Sequence, residues 1–344
     1  MPRPPRLIDL HCDWLLQYTP ETTLFDPTLY SRVSNRLPQI EGYLGETSAA
    51  VLSCYRRPED WTRQADPWHA LGELIARIEA EFPGRLLIGP DDHKRYRDDP
   101  HGLCWGILGV EGFDSLVRSP ADLAHLPLLF HRGVRVFQPV DGPTNLLAGS
   151  SAAHDNRSLT PLGQSFLQTL ADLEPEHPGP RPRPVLDLAH MNPASIAEVL
   201  DWFEADPLRL DRVTPLYSHG ALRHDAYTSP RAITLDNLRR LRALGGLIGF
   251  SVAPPFHTSP EALKAGILAA AELPFQGRIG FEGIAIGTDF LAVDSTLPGL
   301  SNAADVAAWL MATFGPHRAD QLIRRNASRL LAQVAGALPS TSKI

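Results

Sequence analysis

Residues 7–11 read LIDLH, a short run rich in Leu and Ile that stops at a polar side chain. The same design recurs in SAAVLSC (48–54), LCWGILGVE (103–111), GVRVFQP (133–139), PVLDLAH (184–190), PLYSH (215–219), GLIGFSV (246–252) and GIAIGTD (283–289). Short, continuous apolar runs suit strands buried on both faces, as in a parallel sheet. Between them lie amphipathic stretches with apolar residues three or four apart: 67–82, 193–203, 234–245 and 302–315. Eight such units predict an α/β fold, a (β/α)8 TIM barrel forming one domain over residues 1–335, with a C-terminal tail over 336–344. Counting alone leaves a doubly wound open sheet as the alternative, although the G-x-G-x-x-G turn usual after the first strand of a Rossmann sheet is missing. A barrel adds a sharper expectation. All its βα loops converge on one rim, so chemistry belongs where the strands end.

Composition narrows the function classes. The 344-residue chain is 43% hydrophobic and 21% charged, enough to bury a full core without disulfides. Its net charge is −7 and its basic residues are scattered, so the electrostatic footprint of a nucleic-acid binder is missing. Cys12, Cys54 and Cys104 make neither a disulfide framework nor a zinc knuckle, and they fit a reducing compartment. The basic N-terminus is followed by an apolar stretch broken at Asp9, His11 and Asp13, which is no signal-peptide core. No run approaches the roughly 18 apolar residues of a membrane span. The expectation is a cytoplasmic protein with no nucleic-acid or membrane partner. The proline clusters at 175–184 and 251–256 read as loops.

The polar ends of the runs carry the chemistry. His11 and Asp13 are two apart on a strand, so both point the same way and can grip one ion. The third run ends in Glu111, the fifth in His190, the sixth in His219 and the eighth in Asp289. Imidazoles and carboxylates suit zinc at about 2.0–2.2 Å, and six of them exceed what one four-coordinate ion needs. Two ions sharing a bridging carboxylate is the economical solution. Any one of these residues, taken singly, reads as a hydrogen-bonded structural group; what points to metal is their recurrence at the same end of five runs. The other histidines, including His69, His93, His101, His125, His131, His177 and His317, read as surface residues.

These residues also carry a resemblance. DLHCD (9–13), GVEGFDSL (109–116), GVRVFQPVDGPTN (133–145), SLTPLGQSFL (158–167), VLDLAHMNPAS (185–195), PLYSHGALR (215–223), residues 229–256 and GIAIGTDF (283–290) look like the successive blocks of the membrane (renal) dipeptidase family of zinc metallopeptidases. They occur in the family's order, from about Leu7 to Leu331. The resemblance implies an amidohydrolase-like barrel with a binuclear zinc centre, a dipeptide substrate, a metal-bridging hydroxide as nucleophile and a homodimer. It assigns His11 and Asp13 to one zinc, His190 and His219 to the other, and Glu111 to the bridge. Asp289 matches the acid used in proton transfer and in holding the substrate amine. Arg231 resembles the arginine that binds the substrate carboxylate; one extra residue after His219 keeps Arg223 as a competitor.

Two departures stand out. Asp141 falls where the family has a histidine contacting the substrate carbonyl, and a carboxylate opposes that role unless protonated or paired. The family's EGGH block reads EGFD, with Phe113 and Asp114, so a larger, more acidic pocket is expected beside Glu111. Asp141 could bind a substrate ammonium instead, with His154 supplying the missing donor. The alternative function is therefore a hydrolase of another small amide, an N-acyl amino acid, or a lactam or lactone. A catalytically silent ligand-binding barrel is a third reading, and the convergent polar groups count against it.

Overall fold

The computed structural model describes residues 5–16, 37–99, 102–143, 146–152, 157–174, 181–224, 229–254 and 256–337. Eight strands, β1 (Leu7–Cys12), β2 (Thr47–Cys54), β3 (Trp105–Glu111), β4 (Val134–Gln138), β5 (Val185–Asp187), β6 (Thr214–Tyr217), β7 (Leu247–Phe250) and β8 (Ile284–Ile286), coincide with the eight apolar runs. They pair in parallel in chain order, and β8 returns to β1 with Ile286 opposite Asp9, which closes the barrel and excludes the open sheet. A two-stranded antiparallel ribbon, Pro274–Phe275 with Arg278–Ile279, precedes β8.

Almost every barrel residue is buried, which is why the runs are continuous and do not alternate. One face of the strands, including Ile8, Leu10, Val51, Ile107, Val136, Val185 and Leu216, forms the interior cluster. Leu330, Leu331 and Val334 of the C-terminal helix Asn326–Val334 join that cluster. The other face packs under the surrounding helices, and each side chain so buried contributes about 1.5–3 kcal/mol.

The four amphipathic stretches are helical at Pro67–Glu81, Pro193–Ala205, Leu235–Ala243 and Ala303–Asp320. Their starts follow from local chemistry. Asp66, Asn192, Thr234 and Asn302 each accept a backbone N–H from the first turn. The last helix runs past its expected end because the chain kinks at Gly315 (φ 74°) before Pro316 and then resumes. No helix of the described residues is long and apolar enough to cross a membrane.

The surface expectation fails for His93. It is only 9% exposed, because the helix Pro90–Asp98 turns it inward beside Tyr96. His125 is half-buried and stacks on Trp68 at 4.1 Å. His69, His131 and His317 are exposed. His101, His177 and the tail from residue 338 lie outside the described residues.

Arg135 secures the barrel end opposite the strand tips. Its buried guanidinium donates to the carbonyls of Ile88, Phe130, Val134 and Val334 at 2.6–3.2 Å, joining β4 to three other segments. Arg135→Met leaves those carbonyls without their donor, and a loss of about 3 kcal/mol is expected in urea unfolding. A loss below about 1 kcal/mol would show that other donors replace it.

Candidate metal centre

The site begins with two aspartates that hold backbone in place. Asp9, on β1, accepts from the Tyr43 hydroxyl (2.8 Å), the Thr288 hydroxyl (2.6 Å), and the N–H groups of Thr288 (2.9 Å) and His11 (3.2 Å). Those bonds tie the tip of β1 to the loop after β8. Asp187, at the end of β5, accepts from the N–H groups of Ala189 (3.1 Å) and Ser218 (3.0 Å), so the loops bearing His190 and His219 share one anchor.

On these supports the rim gathers three overlapping donor groups, two of which share Glu111. His11, Asp13 and Glu111 form one of that pair, and Glu111, His190 and His219 the other; within each, potential ligand atoms lie within 4.8 Å of one another. Glu111 Oε2 lies 3.1 Å from His11 Nε2 and accepts from Ser53, while its Oε1 lies 3.3 Å from His190 Nε2 and accepts from Gln138 at 2.9 Å. The Nε2 atoms of His190 and His219 are 2.9 Å apart, and His219 Nδ1 meets the Ser218 hydroxyl at 2.8 Å. The third group is Asp187 with His11 and His219, whose donor atoms also fall within 4.8 Å of one another.

The donors fit divalent cations. They are nitrogen and carboxylate ligands of the kind zinc takes. His11 Nε2 is buried and makes no hydrogen bond, although two carboxylates stand at 3.1 and 3.4 Å. Such a group is costly unless something occupies its lone pair or proton. Burial, with Arg231 nearby, holds His190 down at about 3, and burial with His11 and His190 pushes His219 well below the ordinary histidine value. Both are therefore neutral, as ligands must be. Burial raises Glu111, but His11, His190 and Gln138 outweigh it and bring the acid to about 2. Burial lowers His11, yet Glu111 and Asp13 lift it well above its usual value.

Beside this cluster opens a cavity of about 550 Å³ lined by Pro58, Glu59, Thr62, Asp141, Gly142, Pro143, Ala152, His190 and Arg231. A guanidinium nitrogen of Arg231 lies 3.3 Å from His190 Nδ1, and the group sits 5.3 Å from the Phe256 ring centre. The Tyr217 hydroxyl fixes the Arg231 carbonyl. Arg223 does not line the cavity, and its guanidinium donates to the Ser229 carbonyl at 3.1 Å. Asp141 Oδ1 lies 3.6 Å from His190 Nδ1, and burial, Glu111 and Asp114 push its acid well up. His154 is outside the described residues.

The expected enlargement beside Glu111 does not arise from Phe113. That ring is fully buried and stacks on Phe137 at 5.5 Å, in the outer core. Asp114 is fully buried too, close enough to raise the Asp141 acid. Sequence reading passed over Tyr55. It follows directly on β2, and burial with Asp141, Glu111 and Asp13 pushes its phenol well up. The strand-end rule carries the signal, but that run closes on a cysteine, one residue short of the tyrosine.

A sequence profile described as membrane dipeptidase (peptidase family M19) matches residues 3–342. The chain belongs to the membrane dipeptidase family. It is similar to dipeptidase tcpJ of Claviceps purpurea (strain 20.1) and dipeptidase verJ of Clonostachys rogersoniana, each 24% identical over 271 residues, or 76% of this chain. The matches span 58% and 63% of the lengths of those relatives. In fold it is similar to a metallopeptidase from Rhodobacter sphaeroides liganded with a phosphinate mimic of the dipeptide L-Ala-D-Ala. The TM-score is 0.68 at 17% identity, covering 96% of this chain and 99% of that one. A solved metallopeptidase thus shares the overall fold on which this rim is built.

Asp289 completes the rim. It follows β8, donates its N–H to the His11 carbonyl at 3.1 Å, and adopts φ 62°. Burial raises its acid to about 8, with Asp13 and Glu111 adding to the shift against His11 and Arg231. An unfolded aspartate releases its proton near pH 4. The folded chain therefore binds the extra proton between those values, and stability falls as pH rises through that window. In chelator-treated protein, Asp289→Asn is expected to shrink the loss of urea stability between pH 5 and pH 8. An equal loss in both proteins would place the titration elsewhere.

Proposed function

We propose that this protein is a metal-dependent dipeptidase with a binuclear zinc site. The observation that carries the reading is Glu111, whose two carboxylate oxygens face separate imidazoles in the two donor groups that share it. His11 and Asp13 would hold one zinc, His190 and His219 the other, and Glu111 would bridge them. Bound there, the ions would lower the pKa of a shared water toward neutrality and polarise the amide carbonyl.

The chain's own residues do the rest. Asp289, ionised once cations lie beside it, would take the proton of the attacking water and return it to the leaving nitrogen. Arg231 offers a planar fork to the terminal carboxylate of a short substrate. Phe256, 3% exposed, holds that guanidinium against its face and limits its rotation. The three free cysteines, all buried, support a reducing cytoplasmic setting. Asp141 favours a second reading, a hydrolase of another small amide, N-acyl amino acid, lactam or lactone, because it puts a carboxylate in the cavity wall.

Chelator-treated protein is expected to lose hydrolysis of a dipeptide panel and to regain it with zinc. Fewer than one bound divalent ion per chain, with no zinc-restored hydrolysis, would reject the proposal. Arg231→Met should raise KM at least tenfold for free dipeptides and leave C-terminally amidated ones little affected. Phe256→Leu should raise KM for free dipeptides by about 3- to 10-fold, the range of a partly desolvated cation–π contact. Equal effects on free and amidated substrates would remove Arg231 from carboxylate binding.

A further inference from the structure

Arg231 and the acid Asp141 line the same cavity and flank the same atom: His190 Nδ1, at 3.3 and 3.6 Å. No ion pair joins them among the described residues, and at 3.6 Å the Asp141 carboxylate is too far from the imidazole for a hydrogen bond. Asp141 thus makes no hydrogen bond to either neighbour, and it lines the space a ligand would fill.

Because both groups flank one ring, the substrate residue whose carboxylate rests on Arg231 has its side chain within reach of Asp141. We propose that the cavity selects a C-terminal residue with a basic side chain, such as lysine or ornithine, whose ammonium pairs with Asp141. This rests on the dipeptidase reading above and on Arg231 as the carboxylate clamp. Pro58, Pro143 and Ala152 supply apolar wall against which a methylene stem packs while its charged end reaches the acid. Glu59 adds a second carboxylate to the lining; it is half exposed and stands 3.7 Å from Arg57, so its pull is weak and screened. Glu111, Asp114 and Asp13 make the surroundings of Asp141 negative. A cation relieves that repulsion; a neutral chain leaves it in place, and an acidic one adds to it. A cavity of this size holds a dipeptide with an extended side chain.

The test compares Ala-Lys and Ala-Orn with Ala-norleucine, which keeps the stem without the charge, and with Ala-Glu, using zinc-loaded protein. The expected kcat/KM for Ala-Lys exceeds that for Ala-norleucine at least tenfold, the scale of a buried charge-assisted hydrogen bond, and Ala-Glu falls below both. In Asp141→Asn the Lys-to-norleucine ratio is expected to collapse toward one, and in Glu59→Gln to change less than threefold. A wild-type ratio near one, or a ratio that survives in Asp141→Asn, would overturn the proposal. Should no dipeptide be hydrolysed, the dipeptidase reading fails, and calorimetric binding of Ala-Lys against Ala-norleucine then decides selectivity. Tighter Ala-Lys binding that Asp141→Asn abolishes supports the assignment, and equal binding in the wild type overturns it. If Asp141→Asn does not fold, the wild-type ratios alone decide.

Discussion

A carboxylate removed from water must be surrounded by hydrogen-bond donors or cations, and Glu111 is the place where this protein meets that demand. It is 4% exposed, and its neighbours Ser53, Gln138, His11 and His190 come from four different strands or the loops that follow them. Several kcal/mol of desolvation have to be offset there. The barrel makes this possible because parallel closure brings all the strand tips to one rim. Each of the two flanking imidazoles leads to a further ligand-type group, Asp13 on one side and His219 on the other. The position of Glu111 between the two imidazoles thus follows from the fold and from one acid placed at the end of β3.

Support beneath the rim is as specific as the rim. Asp9 and Asp187 accept from backbone N–H groups of the segments that carry or adjoin His11, His190 and His219, which fixes the backbone from which those imidazoles project. His190 and Asp289 both sit at positive φ (66° and 62°), a conformation that is unfavourable for such side chains. The fold holds them there through the β5–β6 and β8–β1 connections, and the cost is typical of sites where geometry matters more than stability.

Much of this was legible in the sequence, for physical reasons that particular residues show. LCWGILGVE reads as a strand because it is buried on both faces, and Glu111 stands out because nothing else in it is charged. The ligand-type residues at other strand ends are visible by the same contrast. Asp9 and Asp187 escaped notice because each lies inside its run, where an acid looks like an interruption and not an anchor. His93 belongs to PDDHKRYRD, a helix with no apolar stripe, so its burial depends on what the tertiary fold lays over it. Spacing could not choose between Arg231 and Arg223. The choice turns on a loop whose return leg pairs Leu222 with Ile233, taking the Arg223 side chain to the Ser229 carbonyl and leaving Arg231 at the cavity.

The central claim is that one buried acid joins two cation sites. Anomalous scattering at the zinc edge, from crystals of the zinc-loaded protein, tests it most directly. Two peaks flanking the Glu111 carboxylate are expected, one contacted by His11 and Asp13 and the other by His190 and His219. A rim without anomalous density, or a single peak that leaves one of those pairs untouched, would contradict the two-ion centre.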